Sequence, residues 1–346
     1  MIIRPAPSNP AEVLKIIPAV TSSTTFESAI LHDLNAKRTL ISEHCFPIER
    51  LQVRHSPQIL NASDFSGMKL LTKGSRMNVY VARSKDRKVR KVVLKMLRND
   101  SSDTSKLAAE EFSTELSLLL RVNHPNIVRL VGAGSKPKAF LAIECCERGT
   151  MAALLRSRRP SLLQRWLRHR PPFQMTLMHA HELGDALDYL HYRCHPEATI
   201  IHRDLKPDNV GFTADGALKL FDLGLCICVR RQERREDTYQ MTRNTGSLRY
   251  MAPEVALGKA YNEKVDVYSF GVLVWQMLSR EVPFASISPS SFLHHVGKQG
   301  LRPTIPSSWA PLLKNLITRC WSEEPSERPS MEDVVDELSD ILQYSC

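Results

Sequence analysis

The stretch IIHRDLKPDNVGF, residues 200–212, restricts this chain more than any other. His202, Arg203, Asp204, Lys206, Asp208 and Asn209 fall within eight positions, with apolar residues on both sides. Pro207 excludes a continuing helix, so the charges belong to a rigid loop on a packed base. LKLFDLGL, residues 218–225, then places Asp222 just after a strand-like run, with Gly224 two residues on. A carboxylate and an amide oxygen held near each other suit Mg2+, a hard ion that takes oxygen ligands together with phosphate. A second carboxylate beside a lysine suits proton acceptance and charge neutralisation in phosphoryl transfer. A solvated charged loop is the plainer alternative, and the apolar flanks argue against it.

The 346 residues are 42% hydrophobic and 24% charged, an ordinary globular composition, long enough for one bilobed domain or two smaller ones. A net charge of +10, from 47 basic and 37 acidic residues, favours anionic partners such as phosphate ligands, acidic proteins or nucleic acid. No nucleic-acid recognition motif accompanies the charge, so specific nucleic-acid binding is not expected. The eight cysteines show no C-x-x-C pair and no zinc spacing. They read as reduced thiols inside a cell, in the cytoplasm with the nucleus as alternative. No apolar run approaches the roughly 20 residues of a membrane helix. The N-terminal VLKIIPAV is interrupted by Lys15 and Pro18 and makes a poor secretory signal.

Residues 1–62 read as an N-terminal extension. Pro5, Pro7, Pro10 and Pro18 oppose regular structure early. Further on, Thr24-x-x-Glu27 fits a capping box, and Phe26, Ile30, Leu34 and Ile41 fall near one face of a helix expected over 25–41. Residues 63–147 are strand-rich, with VYVA and VRKVVLKML around the turn RSKDRK, one helical pattern over 106–121, and strands at NIVRLVGAG and AFLAIEC. Residues 148–346 are dominated by helical patterns. The fold class expected is α+β, a small β-rich lobe followed by a larger helical lobe, with a ligand cleft between them.

With these residues in view, the chain resembles the eukaryotic protein kinase family over roughly residues 64–342, and H-R-D-L-x-x-x-N is met in full by residues 202–209. The resemblance implies ATP and Mg2+ as cofactors. It assigns Asp204 as base to a substrate hydroxyl, Lys206 as neutraliser of the γ-phosphate, and Asn209 and Asp222 as metal ligands. Leu223 stands where the family usually has Phe. VVLK, residues 92–95, matches V-A-I-K and makes Lys95 the lysine for the α/β-phosphates. Glu110, Glu111 and Glu115 compete as its partner, and alignment on NHPNIVRL selects Glu115. Leu71, Gly74, Val79, Val93, Glu144 and Cys146 complete the ATP site by resemblance, with Ile143 before the hinge. Leu119, Leu130, Leu223 and His202 would stack as a spine anchored by Asp266, and Glu254 would pair with Arg328.

Lys206 and GSLRYMAPE favour a serine/threonine enzyme acting on protein hydroxyls in intracellular signalling. Ser247 matches the residue that family members hydrogen-bond to the base. DVYSFGVLVWQML and RCWSEEPSERPSM look similar to the tyrosine-kinase-like branch. Thr238, Thr242 and Thr245 are candidate phosphosites that would pair with Arg203. A basic insert at about 156–173 would suit an acidic partner.

The alternative is a pseudokinase scaffold. Against G-x-G-x-x-G-x-V, Thr72 and Met77 replace two glycines and only Gly74 remains. That substitution predicts a weakened or more mobile phosphate lid. Val93 is larger, and Gly211 smaller, than the family's roof and floor residues of the adenine slot, which suggests compensation between them. Lys95, Glu115, Asp204, Lys206, Asn209 and Asp222 are all retained, which favours an active enzyme.

Overall fold

The computed structural model describes residues 45–54, 58–74, 76–85, 91–98, 103–135, 138–156, 172–231, 237–242 and 245–344. The helix expected over 25–41 and nearly all of the basic insert lie outside these residues.

The small lobe is a six-stranded sheet. In chain order its strands are β1 (Gln58–Ile59), β2 (Phe65–Lys73), β3 (Met77–Ser84), β4 (Lys91–Leu97), β5 (Leu130–Gly134) and β6 (Phe140–Glu144). Their spatial order is β1-β5-β6-β4-β3-β2, and only β1 and β5 are parallel. Period-two alternation along β4 decides where its side chains go. Val92, Leu94 and Met96 join Phe65, Ala82, Phe140 and Ala142 in a small core on one face. Val93, Lys95 and Leu97 therefore face the other way, towards helix α1 (Asp103–Leu119) and the cleft.

On α1, Ala108, Phe112, Leu116 and Leu119 recur at helical spacing and are buried. Glu111 and Glu115 lie one turn apart on the neighbouring face.

The large lobe begins with α2 (Met151–Arg156) and α3 (Pro172–Asp188). A π-helical turn, Tyr189–Arg193, continues α3. Strand β7 (Ala198–Ile201) follows, then the hairpin β8 (Val210–Phe212) and β9 (Leu218–Leu220), and β10 (Ile227–Arg230), which pairs antiparallel with β7. The remaining helices are α4 (Pro253–Leu257), α5 (Lys264–Ser279), α6 (Pro289–Phe292), α7 (Pro311–Cys320) and α8 (Met331–Tyr344). Helix α5 is buried from Lys264 to Met277 and forms the axis of this lobe. Among the described residues, no helix is long and apolar enough to cross a membrane.

The end of the N-terminal extension is part of this core rather than a separate segment. Phe46, Ile48 and Leu51 are 1–3% exposed and belong to the cluster that also holds Leu119 and Leu223. The Phe46 N–H donates to Cys228 O of β10, and the Arg54 N–H to Leu120 O at the end of α1. The buried Arg121 donates through Nε to Leu51 O. Strand β1 then pairs with β5 at a point where only glycine fits, because a Cβ on Gly132 would lie 2.5 Å from Gln58 O. One strap thus touches α1, the strand after Gly224, and β5.

Arg328 is 1% exposed and forks onto Glu254, with NH1 donating to Oε1 at 2.6 Å and NH2 to Oε2 at 3.0 Å. His179 of α3 packs on Phe212, with ring centroids 4.7 Å apart, and meets Gly216 O. Burial lowers the His179 imidazole to about 4 despite that hydrogen bond. Below the ordinary imidazole value the unfolded chain binds a proton there that the folded chain refuses. Stability should therefore fall as pH drops from about 6.5 to about 4, by on the order of 3 kcal/mol from this residue. Urea unfolding of His179→Gln across that range should lack this component and show a correspondingly flatter profile.

Candidate active site

The loop after β7 is organised by Asp266, fully buried in the first turn of α5. Its Oδ2 accepts the His202 N–H at 2.7 Å and sits 2.9 Å from His191 Nε2, while Oδ1 accepts the Arg203 N–H at 2.9 Å. Burial pushes the Asp266 carboxyl up, but its hydrogen bond with His191, together with His191 and His202 as neighbours, leaves it below the usual range. Arg203 adopts φ 66°, a left-handed conformation that costs free energy and that this anchor maintains. Its Nε donates to Leu225 O at 2.7 Å, tying the loop to the segment beyond Gly224.

Asp204 is 6% exposed, and both of its carboxylate oxygens have partners. Lys206 Nζ donates to Oδ2 at 2.5 Å, and Ser247 Oγ to Oδ1 at 2.8 Å. Asn209 Nδ2 donates to the Asp204 carbonyl at 2.9 Å and to Oδ2 at 3.1 Å. Gly246 makes the approach of Ser247 feasible. It has φ 101°, and a Cβ there would lie 2.2 Å from Arg203 O.

The β8–β9 ladder pairs Val210 with Leu220, and the Phe221 N–H donates to Asn209 O at 3.0 Å. Asn209 and Asp222 thus stand at the same end of one hairpin. Asp222 takes φ 69°, and its Oδ1 accepts from Lys95 Nζ at 2.7 Å. Lys95 Nζ also donates to Glu115 Oε1 at 2.6 Å. Burial alone would lower the lysine, but Glu115 and Asp222 outweigh it and hold the ammonium charged. Burial raises the Glu115 carboxyl against the pull of Lys95. Burial likewise opposes ionisation of Asp222, but Lys95 prevails and holds it below the usual carboxylate range.

The donor set fits a Mg2+ ion. Asn209 commits its Nδ2 to Asp204, which leaves the amide oxygen as acceptor, and the Asp222 side chain keeps 38% exposure at the cleft. Among the described residues no three His, Cys, Asp or Glu side chains gather into a metal cage. Two oxygen ligands, with phosphate and water completing the shell, is the arrangement Mg2+ favours.

Leu119, Leu130, His202 and Leu223 are all buried, and Leu119, Leu130 and Leu223 share one cluster. Val93 pairs across the ladder with Ile143, and the Glu144 carboxylate turns to Lys219 Nζ at 2.8 Å and the Arg129 N–H at 2.8 Å. The space beside Gly211 is filled by the hinge: a Cβ there would lie 2.8 Å from Cys146 Cβ and 3.1 Å from Phe221 Cε1. Cys146 thus occupies the space that the small residue at 211 leaves. Burial pushes the Cys146 thiol up to about 12, so it behaves as an apolar wedge.

Thr72 and Met77 lie inside the β2–β3 and β3–β4 ladders, opposite Val79 and Leu97. Neither position takes a positive φ. Gly74 is different, since its N–H donates to Met77 O at 3.0 Å and a Cβ would lie 2.5 Å from the same oxygen. The lid retains its glycine where the backbone demands one. Leu71 is 54% exposed on the edge strand β2.

Thr242 Oγ1 accepts from Arg203 NH1 at 3.0 Å and lies 2.8 Å from Thr245 Oγ1. Thr238 is exposed. Sequence reasoning missed His191, Gly246, Gly132 and the pairing of Arg76 with Glu111. A glycine directly before Ser247 was the available signal for one of them.

A family model described as protein tyrosine and serine/threonine kinase matches residues 65–338. The chain, with two lobes meeting at a Lys–Glu–Asp cluster beside the Asp204 loop, belongs to this family. Among its relatives are serine/threonine/tyrosine-protein kinase HT1 of Arabidopsis thaliana, 34% identical over 72% of this chain, and serine/threonine-protein kinase VIK of the same plant, 35% identical over 81%. Human mitogen-activated protein kinase kinase kinase 7 is 35% identical over 73%. The aligned parts span 60%, 60% and 38% of those proteins, so the chain covers less than two thirds of the length of these relatives.

Gly246→Ala tests how the site is assembled. A side chain pressed on Arg203 O must displace Ser247 from Asp204, at a cost of about 1–3 kcal/mol. Hydrogen exchange at residues 245–250 should accelerate at least tenfold, while amides in the middle of α5 keep wild-type protection.

Proposed function

We propose that the chain is a serine/threonine protein kinase that transfers the γ-phosphate of ATP to hydroxyl groups of proteins, acting in intracellular signalling. The observation that carries this reading is Asp204, a buried carboxylate gripped by Lys206 on one oxygen and by Ser247 on the other. Asp204 takes the proton of the attacking serine or threonine hydroxyl as its oxygen bonds to the γ-phosphorus and the bond to the β-phosphate oxygen breaks. Lys206 balances the charge that gathers on the transferred group. Ser247 fixes the plane of the carboxylate. Lys95, aimed by Glu115, binds the α/β-phosphates. Asn209 and Asp222 would hold Mg2+, which when bound neutralises phosphate charge.

Leu71, Gly74, Val79 and Val93 line the nucleotide side of the small lobe in this reading, with the backbone of Glu144 and Cys146 at the adenine edge. Residues 63–346 form the catalytic unit, strapped by Phe46–Leu51, and the basic run at 156–173 meets an acidic protein partner. Free cysteines throughout the described residues suit a reducing cytoplasmic setting, with the nucleus as alternative.

Phosphorylation of a generic serine/threonine protein with Mg·ATP tests the reading, with Asp204→Asn as control. The variant should lose at least 10²–10⁴-fold in rate while still binding nucleotide. Wild type that binds nucleotide but transfers no phosphate would make the chain a scaffold.

Regulation follows from the position of Thr242. A phosphate there would meet Arg203, already 3.0 Å from the hydroxyl, and would hold the segment after β10 against the catalytic loop. Thr242→Val should lower the activity of phosphorylated enzyme severalfold, and Thr238→Val should leave it unchanged. Mass-spectrometric mapping of active material that finds Thr242 unmodified would remove the site.

A further inference from the structure

The lid of the cleft carries a cation that its own folding does not require. Arg76, at the start of the return from Gly74, donates through NH1 to Glu111 of α1. Its side chain stays 35% exposed and that of Glu111 16%. Glu111 lies one helical turn before Glu115, the residue that holds Lys95. It also stands directly against the turn that bears Asp222. A Cβ on Gly224 would be 3.2 Å from Glu111 O and 3.3 Å from Glu111 Cβ. The Arg76 guanidinium is therefore tied to the stretch of α1 that supplies Glu115 and packs against the turn after Asp222.

The backbone beneath it is fixed independently. The Arg98 N–H donates to Arg76 O at 3.1 Å, Arg98 NH1 to Gly74 O at 2.8 Å, and the Gly74 N–H to Met77 O at 3.0 Å. A partly exposed ion pair adds little to such a turn, typically about 0–1 kcal/mol. Glu111 also engages NH1 alone, one edge of a planar fork that carries five donors.

We propose that Arg76 is a phosphate-binding side chain of the nucleotide site, with Glu111 its resting partner, and that its ligands are nucleoside di- and triphosphates. The inference rests on the kinase reading above. In a lid with one glycine where the family pattern has three, backbone N–H groups are less able to close on phosphate oxygens. A guanidinium recognises the same oxygens through paired, charge-assisted hydrogen bonds. Affinity that the family pattern draws from bare backbone comes here in part from a side chain.

Calorimetric titration of the full chain with adenosine, ADP and ATP, each with Mg2+, tests this in wild type, Arg76→Ala, Arg76→Lys and Glu111→Gln. Arg76→Ala should weaken ATP and ADP about tenfold or more and leave adenosine within about twofold. Arg76→Lys should recover part of the loss. Glu111→Gln removes a negative charge and spares the guanidinium, so its preference for ATP over adenosine should equal or exceed that of wild type. Equal losses for adenosine and ATP in Arg76→Ala, or a Glu111→Gln variant that copies Arg76→Ala, would reduce the pair to a structural latch and overturn the proposal. Unchanged ATP affinity in Arg76→Ala would overturn it while leaving the kinase reading intact. Wild type that binds none of the three ligands would overturn both.

Discussion

One buried carboxylate holds the loop after β7 in shape. Asp266 has no water to solvate it, so its oxygens must be satisfied within the protein. They are satisfied by two consecutive backbone N–H groups, from His202 and Arg203, and by the His191 ring. Its place in the first turn of α5 adds the favourable end of the helix dipole. Both N–H groups are tied to that carboxylate, and the positive φ of Arg203 makes the bend that follows them. Once it is made, Asp204 faces the cleft, and Asn209 and Lys206 close around it. A loop this polar is stable in the middle of a domain because most of its donors and acceptors find partners, His202 Nε2 being an exception.

The small lobe is coupled to this loop through Lys95. Two carboxylates, from α1 and from the turn after β9, converge on one ammonium, so each of the three elements stabilises the position of the others. The strap at Phe46–Arg54 works on the same elements, through Arg54 N–H to Leu120 O and Phe46 N–H to Cys228 O. Apolar burial there supplies the non-directional attraction, and the ion pairs in the cleft supply the alignment. The lid follows similar economy. Its ladders run through Thr72 and Met77, and the one glycine left is the one with no room for a side chain.

Much of this was legible in the chain. Residues 200–225 declared a charged loop on a packed base, and the alternation of β4 pointed Lys95 away from Val92 and Leu94. The two-lobed α+β architecture followed from where strand and helix patterns lie. Other features left no local trace. His191 and Asp266 are 75 residues apart, and nothing near either one names its partner. Residues 45–54 have no periodicity to announce that Phe46, Ile48 and Leu51 are core. Glu111 and Glu115 are equivalent on a helix surface; resemblance selects Glu115 as the partner of Lys95, and only the docked sheet brings Glu111 to Arg76.

The sequence by itself determined the inventory: which acids, bases and amides exist, the strand or helix that carries each, and the family to which the order of motifs belongs. Those properties depend on neighbours within a few positions, where side-chain period and backbone propensity act. Tertiary structure alone decided the pairings that no motif announces. It placed His191 on Asp266, Thr242 rather than Thr238 beside Arg203, and Cys146 in the space at Gly211. A hydrogen bond or a steric contact is set by distances of a few ångströms between elements, and those distances exist only after the core has packed.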